Sequence, residues 1–285
     1  MLRSYIRTSK TITLSLQVAC GTTCIFWGVY PYTVSGGPFL PTAGYIPYDT
    51  DYSPVFEITF VYEFIAVLCS GVMNTGALSL IEGLIMVVGA ELRTLNDSLE
   101  NLKEYSESTI GVHSNSCYKM VSEELDKKMI ENLIDCLIKH KYVIRFLDEI
   151  SLIFGKALLV QYLIIVLMLC TALFEMTKVP VGSVPFFSYV CFQYCSVTGI
   201  FVLCYFGNEV IVESTRLTSS AYSCDWTGSS QTFKKLLLVF MIRSQKELEL
   251  YAANVFSISL ENFLKIMKSA VSYFTVLQQF SDEMA

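Results

Sequence analysis

Eight polar side chains near the carboxyl end recur at the spacing of one helix face, in a pattern suited to conducting ions. They are Asn254, Ser257, Glu261, Lys265, Lys268, Ser272, Thr275 and Gln279. Steps of three and four residues place them in one stripe of a helix, and the opposite face is apolar. We therefore expect one amphipathic helix from Tyr251 to Phe280, longer than the ~20 residues that a bilayer requires.

Charged side chains in this stripe restrict where such a helix can lie. Glu and Lys are costly at membrane depth unless they face water or a polar partner. A spanning helix with this stripe must then line an aqueous path or a polar helix interface. Two alternatives stay open from the stretch alone, namely a helix lying on the membrane surface and a packing helix of a soluble protein.

The composition of the whole chain indicates a membrane protein. Hydrophobic residues make up 53% and charged residues 16% of the 285 residues, and the mean hydropathy is +0.50. A soluble domain has about 25% charged residues. The net charge of −6 comes largely from one long acidic loop, so it does not point to a nucleic-acid partner.

The residues that usually carry catalysis or metal binding do not form a recognisable pattern. Most of the ten cysteines lie in apolar segments, where a thiol behaves as a small hydrophobic group. His113 and His140 are isolated. The sequence has no glycine-rich phosphate loop and no nucleophile–base arrangement, so we expect no catalytic residue, metal site, cofactor or enzymatic activity.

Apolar segments predict an all-α membrane bundle with five spans. The first four are Thr11–Tyr30, Val55–Ala90, Ser151–Met176 and Phe186–Val212, and the striped helix is the fifth. A tight turn is expected at 179–185, because this stretch contains two prolines and a glycine. The apolar stretch 233–242 is too short to cross a bilayer.

The distribution of Lys and Arg predicts the orientation of the spans. Three basic residues precede the first span, eight lie in 91–150 and three in 213–235, whereas 31–55 and the tail after Phe280 have none. Basic residues favour the cytoplasmic side, so the amino terminus is predicted inside and the carboxyl terminus outside. A G-protein-coupled receptor has the opposite orientation, and a secondary transporter would show repeated halves, which this chain lacks.

The predicted organisation follows from these spans. In order, it comprises two spans with an extracellular loop (1–90), a cytoplasmic helical loop (91–150), two spans (151–212), a cytoplasmic anchor segment (213–248), and a pore-lining last span with an extracellular tail (249–285).

Several short motifs occur in an order and spacing that resemble the insect odorant receptors. They are Leu40-Pro41, Pro47-Tyr48-Asp49, Leu137…His140 before Phe146-Leu147, Tyr194-Cys195 with Gly199, Tyr222…Trp226, Phe233-Lys234-Lys235, Arg243-Ser244-Gln245-Lys246, and Phe263 followed by Ser272-Tyr273-Phe274. The ending Ser272-Tyr273…Gln279-Phe280 also resembles the signature of the related gustatory receptors, which remain the alternative.

The sequence departs from the family pattern in two places. Family members often carry proline where Glu247 stands and glycine near Ala253, which affects the junction before the last helix. They also have seven spans, and the first span here resembles the family's third. The chain is thus expected to be an incomplete gene model, a non-functional truncated receptor or a short form.

The resemblance implies an odorant-gated, non-selective cation channel of four subunits in the plasma membrane of olfactory neurons. The last helix would line its pore, with residues Lys265, Lys268, Ser272, Val276, Gln279 and Phe280. Val276 and Phe280 would form the gate near the outer end. The resemblance also implies a coreceptor as partner in a hetero-tetramer.

The resemblance further implies a pocket for a small hydrophobic odorant in the outer half of the bundle. Its expected lining is Cys20, Thr23, Cys24, Trp27, Tyr62, Ala66, Ser70, Phe187, Tyr189, Val190 and Tyr194. An apolar, aromatic cavity with few polar groups suits a small volatile organic molecule. Tyr222 and Trp226 are expected to pack in the cytoplasmic anchor, and any of these residues can instead be ordinary packing residues.

Overall fold

A computed structural model describes residues 2–29, 40, 46–49, 52–110 and 118–284 of the chain. Within these residues the chain forms seven helices and one small hairpin. The elements are α1 (Leu2–Val29), α2 (Val55–Glu100), α3 (Leu102–Ile110), α4 (Tyr118–Lys178), α5 (Val184–Ser223), α6 (Gln231–Ser244), β1 (Tyr251–Ala252), β2 (Phe256–Ser257) and α7 (Leu260–Met284). Most of the loop expected at 31–55 lies outside the described residues.

Three helices are long and apolar enough to cross a membrane. By length and composition they are α2, the Glu123–Lys178 part of α4, and α5, and they contain the second, third and fourth predicted spans. Each continues beyond the apolar run, because charged residues at helical spacing extend the same helix. Helices α1 and α7 have 28 and 25 residues but do not meet this measure among the described residues, so their insertion stays a prediction.

The predicted tight turn separates α4 from α5. Pro180 follows the end of α4 and its carbonyl accepts a hydrogen bond from the Ser183 amide at 3.2 Å. Gly182 takes a φ of +87°, which a residue with a side chain rarely adopts. The Ser183 hydroxyl then accepts from the Phe186 amide at 3.4 Å, as an N-cap does. The expected turn is thus confirmed.

The chain divides into two compact units. The hairpin unit contains residues 1–2, 83–158 and 205–259, and the span unit contains residues 3–82, 159–204 and 260–285. The hairpin unit has an apolar core drawn from α2, α4, α5, α6 and the residues that flank the hairpin. Its fully buried side chains include Leu92, Leu99, Leu133, Leu217, Phe233, Phe240, Leu250 and Ile258. On α4, Leu133, Val143 and Leu147 are buried, whereas Leu137 and Ile144 are half-buried.

The last helix begins nine residues later than the sequence analysis predicted. Residues 251–257 form an antiparallel hairpin, in which Tyr251 pairs with Ser257 and Ala252 with Phe256. Ala253 and Asn254 at its tip have φ values of +50° and +58°, which no right-handed helix contains. Asn254 and Ser257 are therefore not part of the polar helix stripe, although their spacing fitted it.

A charged network holds the hairpin-unit parts of α2 and α5 together. Arg93 binds Glu209 through Nη2 and Glu213 through Nε, each at 2.5 Å. The Asn96 side-chain amide donates to the Glu213 carbonyl at 3.0 Å and to its carboxylate at 3.1 Å. The Glu213 side chain is only 7% exposed, so its charge depends on these partners.

Replacement of Arg93 by alanine tests this network. We expect Arg93→Ala to destabilise the protein by roughly 2 kcal/mol, because Glu213 loses its counter-charge while it remains buried. This loss of stability is smaller than the loss on breaking a fully buried ion pair, because the Arg93 side chain is 34% exposed. Thermal unfolding in detergent would measure the change.

The matched control is Arg145→Ala. Arg145 binds Glu149 at 3.0 Å, but both side chains are exposed, by 76% and 52%, and such pairs contribute about 0.5 kcal/mol or less. Equal thermal unfolding midpoints for Arg93→Ala and Arg145→Ala would contradict the conclusion that the buried Glu213 depends on Arg93 for its counter-charge.

Candidate functional site

The polar stripe of α7 is exposed to the surroundings of the chain along its length. Glu261 and Lys265 form an ion pair at 2.7 Å with side chains 78% and 64% exposed. Lys268, Ser272 and Gln279 are exposed further along the helix, as are Thr275, Val276 and Phe280. The stripe can therefore meet water, or polar groups of another chain, without any change within the chain.

A narrow apolar strip on α7 packs inside the span unit. The Phe263 ring lies edge-on to Phe201 of α5, with centroids 5.6 Å apart. Ala270 is buried, and Met267 and Phe274 are half-buried. These residues follow one another at steps of four, three and four, so they form one face of the helix. The apolar residues on either side, Leu264, Val271 and Leu277, remain exposed, so the packed face is narrower than the apolar face predicted.

Two glycines fix the hairpin that leads into α7. A Cβ atom on Gly207 of α5 would lie 2.2 Å from the Ile258 carbonyl oxygen, and one on Gly155 of α4 would lie 2.9 Å from the Ala253 nitrogen. Real Cβ atoms do not approach backbone this closely, so both positions require glycine. The hairpin backbone thus lies directly against α4 and α5, and Leu250, Ala252 and Ile258 are fully buried there.

Serine hydroxyls satisfy the amides that enter the hairpin. The Leu248 amide donates to Ser214 Oγ at 3.0 Å, and the Tyr251 amide to Ser151 Oγ at 3.4 Å. A hydrogen bond from the Tyr251 phenol to the Glu249 carboxylate raises the pKa of the phenol. The segment that positions α7 is therefore held by polar and steric contacts together. We call the two glycines, the two serines and the hairpin they hold the glycine clamp.

A second group of residues joins α1 to α2 and α5 in the span unit. Thr23 and Cys24 are buried, and Cys20 is half-buried. The Thr23 hydroxyl lies 3.7 Å from the Cys195 sulfur of α5. A Cβ on Gly71 of α2 would lie 2.7 Å from the Cys20 sulfur, and one on Gly28 of α1 would lie 2.7 Å from the Phe64 ring. The face of α2 that meets α1 thus carries Phe64 and Gly71.

A family model described as 7tm Odorant receptor matches residues 1–271. The chain belongs to the odorant receptor family. The family consists of receptors, so the prediction that the chain is not an enzyme is confirmed, and so is the prediction of an all-α membrane bundle. The motif order described above thus identified the correct family, and the match favours it over the gustatory alternative.

Known relatives in this family resemble the chain at modest identity. Odorant receptor 10 of Aedes albopictus is 27% identical over 283 residues, which is 98% of this chain and 70% of that protein. Odorant receptor 85f of Drosophila melanogaster is 30% identical over 158 residues, or 55% of this chain and 39% of that protein. The odorant receptor coreceptor of Aedes aegypti is 30% identical over 141 residues, or 50% of this chain and 30% of the coreceptor.

A solved structure has the same fold. The insect olfactory receptor OR5 from Machilis hrabei, in complex with eugenol, superposes with a TM-score of 0.82 at 16% identity, covering 98% of this chain and 68% of that chain. A second structure of the same receptor gives a TM-score of 0.80. At this identity the likeness concerns the fold.

Only part of the pocket predicted for an odorant receptor is brought together within this chain. Thr23 lies against Cys195 of α5 and Cys20 against Gly71 of α2, and Cys24 is buried beside them. By contrast, other predicted lining residues on α2 and α5 are exposed, namely Tyr62, Ala66, Ser70, Phe187, Val190 and Tyr194. Tyr189 is half-buried, and the Trp27 side chain lies outside the described residues.

The sequence analysis did not identify Phe64, Gly71 or Cys195 as contact residues. Phe56, Phe60 and Phe64 stack along α2, with centroids 6.2 and 6.5 Å apart. This aromatic spacing of four residues was the signal that marks the α2 face toward α1. No comparable signal marked Gly71.

Tyr222 and Trp226 lie together at the end of α5 in the hairpin unit. Their rings are 6.1 Å apart, and the indole nitrogen donates to the Tyr222 carbonyl at 3.1 Å. Lys234 of α6 lies 6.0 Å from the Trp226 ring. Trp226 thus approaches α6 at Lys234, while the Tyr222 side chain stays exposed.

Within the described ranges, no group of three or more His, Cys, Asp or Glu side chains has a metal-binding arrangement. Some titratable side chains there are instead paired, as in the Arg93 network, and some are buried. Cys224 is an example, since burial raises the pKa of its thiol to about 11.

Alanine substitutions at the glycine clamp test its role in positioning α7. We expect Gly207→Ala and Gly155→Ala each to destabilise the protein by about 1–3 kcal/mol, because the new methyl group displaces backbone that cannot repack. Thermal unfolding in detergent would measure stability. Cysteine cross-linking of α7 between subunits would report its position.

Gly76→Ala on α2 serves as the matched control. A Cβ there would meet nothing within 4 Å, so alanine should raise the helix stability by about 0.5–1 kcal/mol. If Gly155→Ala, Gly207→Ala and Gly76→Ala changed stability equally, the close backbone contacts at Gly155 and Gly207 would not explain the effect.

Proposed function

We propose that this chain is a subunit of an odorant-gated, non-selective cation channel, with α7 lining its conducting path. The observation that carries the proposal is the exposed polar stripe of α7, opposite a narrow strip that packs against its own chain. A helix with this arrangement is stable in a membrane when copies of it surround water. Membership in the odorant receptor family supports the same conclusion.

The stripe has two electrostatic regions that suit different parts of a pore. At the amino-terminal end, Glu261 and Lys265 pair with each other, so their net charge is small. We assign this region and Lys268 to a wide vestibule, where the charges remain hydrated. Toward the carboxyl end the side chains are uncharged, and Val276 and Phe280 form an apolar constriction that closes by excluding water. Gln279 supplies the polar group beside it.

The proposed subunit lies in the plasma membrane with its amino terminus in the cytoplasm and its carboxyl terminus outside. The alternation of basic and non-basic segments supports this orientation. The hairpin unit then lies on the cytoplasmic side, and the outer part of α7 forms the extracellular end of the pore. Tyr222 and Trp226 belong to the cytoplasmic anchor in this arrangement.

The proposed assembly is a hetero-tetramer with the family's coreceptor. Similarity of this chain to the coreceptor of Aedes aegypti, over half of its length, supports compatible packing surfaces. The exposed apolar residues beside the stripe, Leu264, Val271 and Leu277, would be covered by neighbouring subunits. In such an assembly the ring of side chains around the pore comes partly from the stripe of this chain and partly from the coreceptor.

The proposed ligand is a small hydrophobic odorant held in the outer half of the bundle. Eugenol, the molecule named with the Machilis hrabei receptor, is of this class. Aromatic residues of α5, including Tyr189 and Tyr194, and the α1 residues Thr23 and Cys24 would provide an apolar wall with few hydrogen-bonding groups.

A charge placed at Gln279 tests the pore assignment. We expect Gln279→Lys, recorded in cells that also express the coreceptor, to reduce single-channel cation conductance by roughly tenfold. A fixed positive charge at a narrow point opposes each cation by more than about 1 kcal/mol. Val276→Ala should increase the current in the absence of odorant, because a smaller side chain weakens the apolar gate.

Gln278→Lys is the matched control for Gln279→Lys. Gln278 is also exposed and has the same side chain, but it points about 100° away around the helix. Equal conductance changes at both positions, or none at Gln279 and Val276, would contradict the assignment.

Substitution of Tyr194 tests the ligand pocket. We expect Tyr194→Ala to raise the odorant concentration that gives half-maximal current by about tenfold, because the odorant loses one aromatic contact. Tyr142→Ala, which removes an exposed tyrosine from the hairpin unit, should leave the response unchanged. If Phe64→Ala raised this odorant concentration and Tyr194→Ala did not, the pocket would instead lie at the α2 face toward α1.

A further inference from the structure

Three thiols from two separate helices meet inside the span unit. Cys20 and Cys24 lie one turn apart on α1, and Cys195 lies on α5. Cys20 and Cys195 both lie near the Cys24 thiol. Cys195 is also near Cys20 on α1 and Cys191 on its own helix. None of the three is in a disulfide in this structure.

Close helix packing brings these thiols into reach of one another. The Thr23 hydroxyl, beside Cys24 in sequence, lies 3.7 Å from the Cys195 sulfur, so α1 and α5 are in direct contact here. Gly71 of α2 has no side chain and leaves room for the Cys20 sulfur, which a Cβ would approach to 2.7 Å. The Cys20 side chain of α1 therefore packs against α2 at Gly71.

Other buried cysteines have different surroundings. Cys204 lies 3.3 Å from the Tyr162 hydroxyl, and the charged neighbour that acts on Cys224 is Asp225. Neither has a thiol partner that acts on it. The α1–α5 group differs because thiols of two helices lie near one another, and an inter-helix disulfide requires such an approach.

We propose that Cys195 and one of the two α1 thiols form an oxidation site, at which a hydroperoxide produces a disulfide between α1 and α5. Oxidation of one thiol by the hydroperoxide breaks its O–O bond, forms an S–O bond and releases an alcohol or water, leaving a sulfenic acid. The second sulfur then attacks the sulfenic sulfur. The S–S bond forms, the S–O bond breaks, and the departing hydroxide leaves as water with the proton of the second thiol.

Such a disulfide would tether two helices that are far apart in the sequence. Disulfides that close long loops restrict the unfolded chain strongly, so oxidation should raise the thermal stability of the span unit. It would also fix the distance between α1 and α5 at the place where both helices carry proposed odorant contacts. This proposal concerns the thiols themselves and does not depend on channel activity.

Peptide mapping of the oxidised full chain tests the proposal. The purified protein in lipid nanodiscs is treated with hydrogen peroxide, free thiols are alkylated, and the protein is digested and analysed by mass spectrometry without reduction. We expect a cross-linked species that joins the peptide of Cys195 to the peptide of Cys20 and Cys24, and that disappears on reduction. The thermal midpoint should rise by several degrees on oxidation.

Single substitutions assign the bond and provide controls. Cys195→Ser should abolish the cross-linked species. Of the two α1 variants, Cys20→Ser and Cys24→Ser, the one that reduces the cross-linked species more identifies the α1 partner of Cys195. Cys204→Ser, which removes a buried thiol outside the group, should leave it intact. The proposal is overturned if no link to Cys195 forms at a peroxide concentration that oxidises the exposed Cys69, or if Cys195 is linked only to another subunit.

Discussion

Backbone contact at the glycine clamp is the constraint on which the hairpin before the last helix depends. Gly207 lies against the Ile258 carbonyl, and Gly155 lies against the hairpin tip. Any side chain at either glycine would push the hairpin away from the helix that holds it. The hairpin ends at Ser257 and α7 begins at Leu260, so the chain enters its last helix from a segment that these two contacts hold.

Left-handed residues at the hairpin tip add to this constraint. Ala253 has a φ of +50°, a conformation that costs an alanine about 1–2 kcal/mol. The cost is offset by burial of Leu250, Ala252 and Ile258 around it. A tight, buried turn of this kind has few alternative conformations.

The sequence predicted the broad fold because hydropathy and breakers act locally. Long apolar runs required spanning helices, and Pro180 and Gly182 required a turn between two of them. The hairpin was missed because Asn254 and Ser257 fitted the helical spacing by coincidence. A period-two alternation was present nearby, since Leu248, Leu250 and Ala252 are buried while Tyr251 is exposed, and this pattern is typical of a strand.

The rotation of the membrane helices about their axes was the least predictable feature. On α2, Tyr62 and Phe64 are both aromatic, yet the first is 72% exposed and the second faces α1. In a lipid environment both sides of a helix are apolar, so composition does not tell which side meets a neighbour. Contacts made through glycine, as at Gly71, leave no hydrophobic signal at all. The pocket therefore stays a prediction, and several of the residues that it names are exposed within this chain.

The exposed stripe with its two lysines also makes insertion of α7 into a bilayer unfavourable for a single copy of this chain. Insertion of a lysine at the centre of a membrane costs about 2.5–3.5 kcal/mol on biological scales, and Lys265 and Lys268 have no buried partner on this face. In the hetero-tetramer proposed above, neighbouring subunits would supply those partners, and mass action would favour the folded state as the density of subunits in the membrane rises.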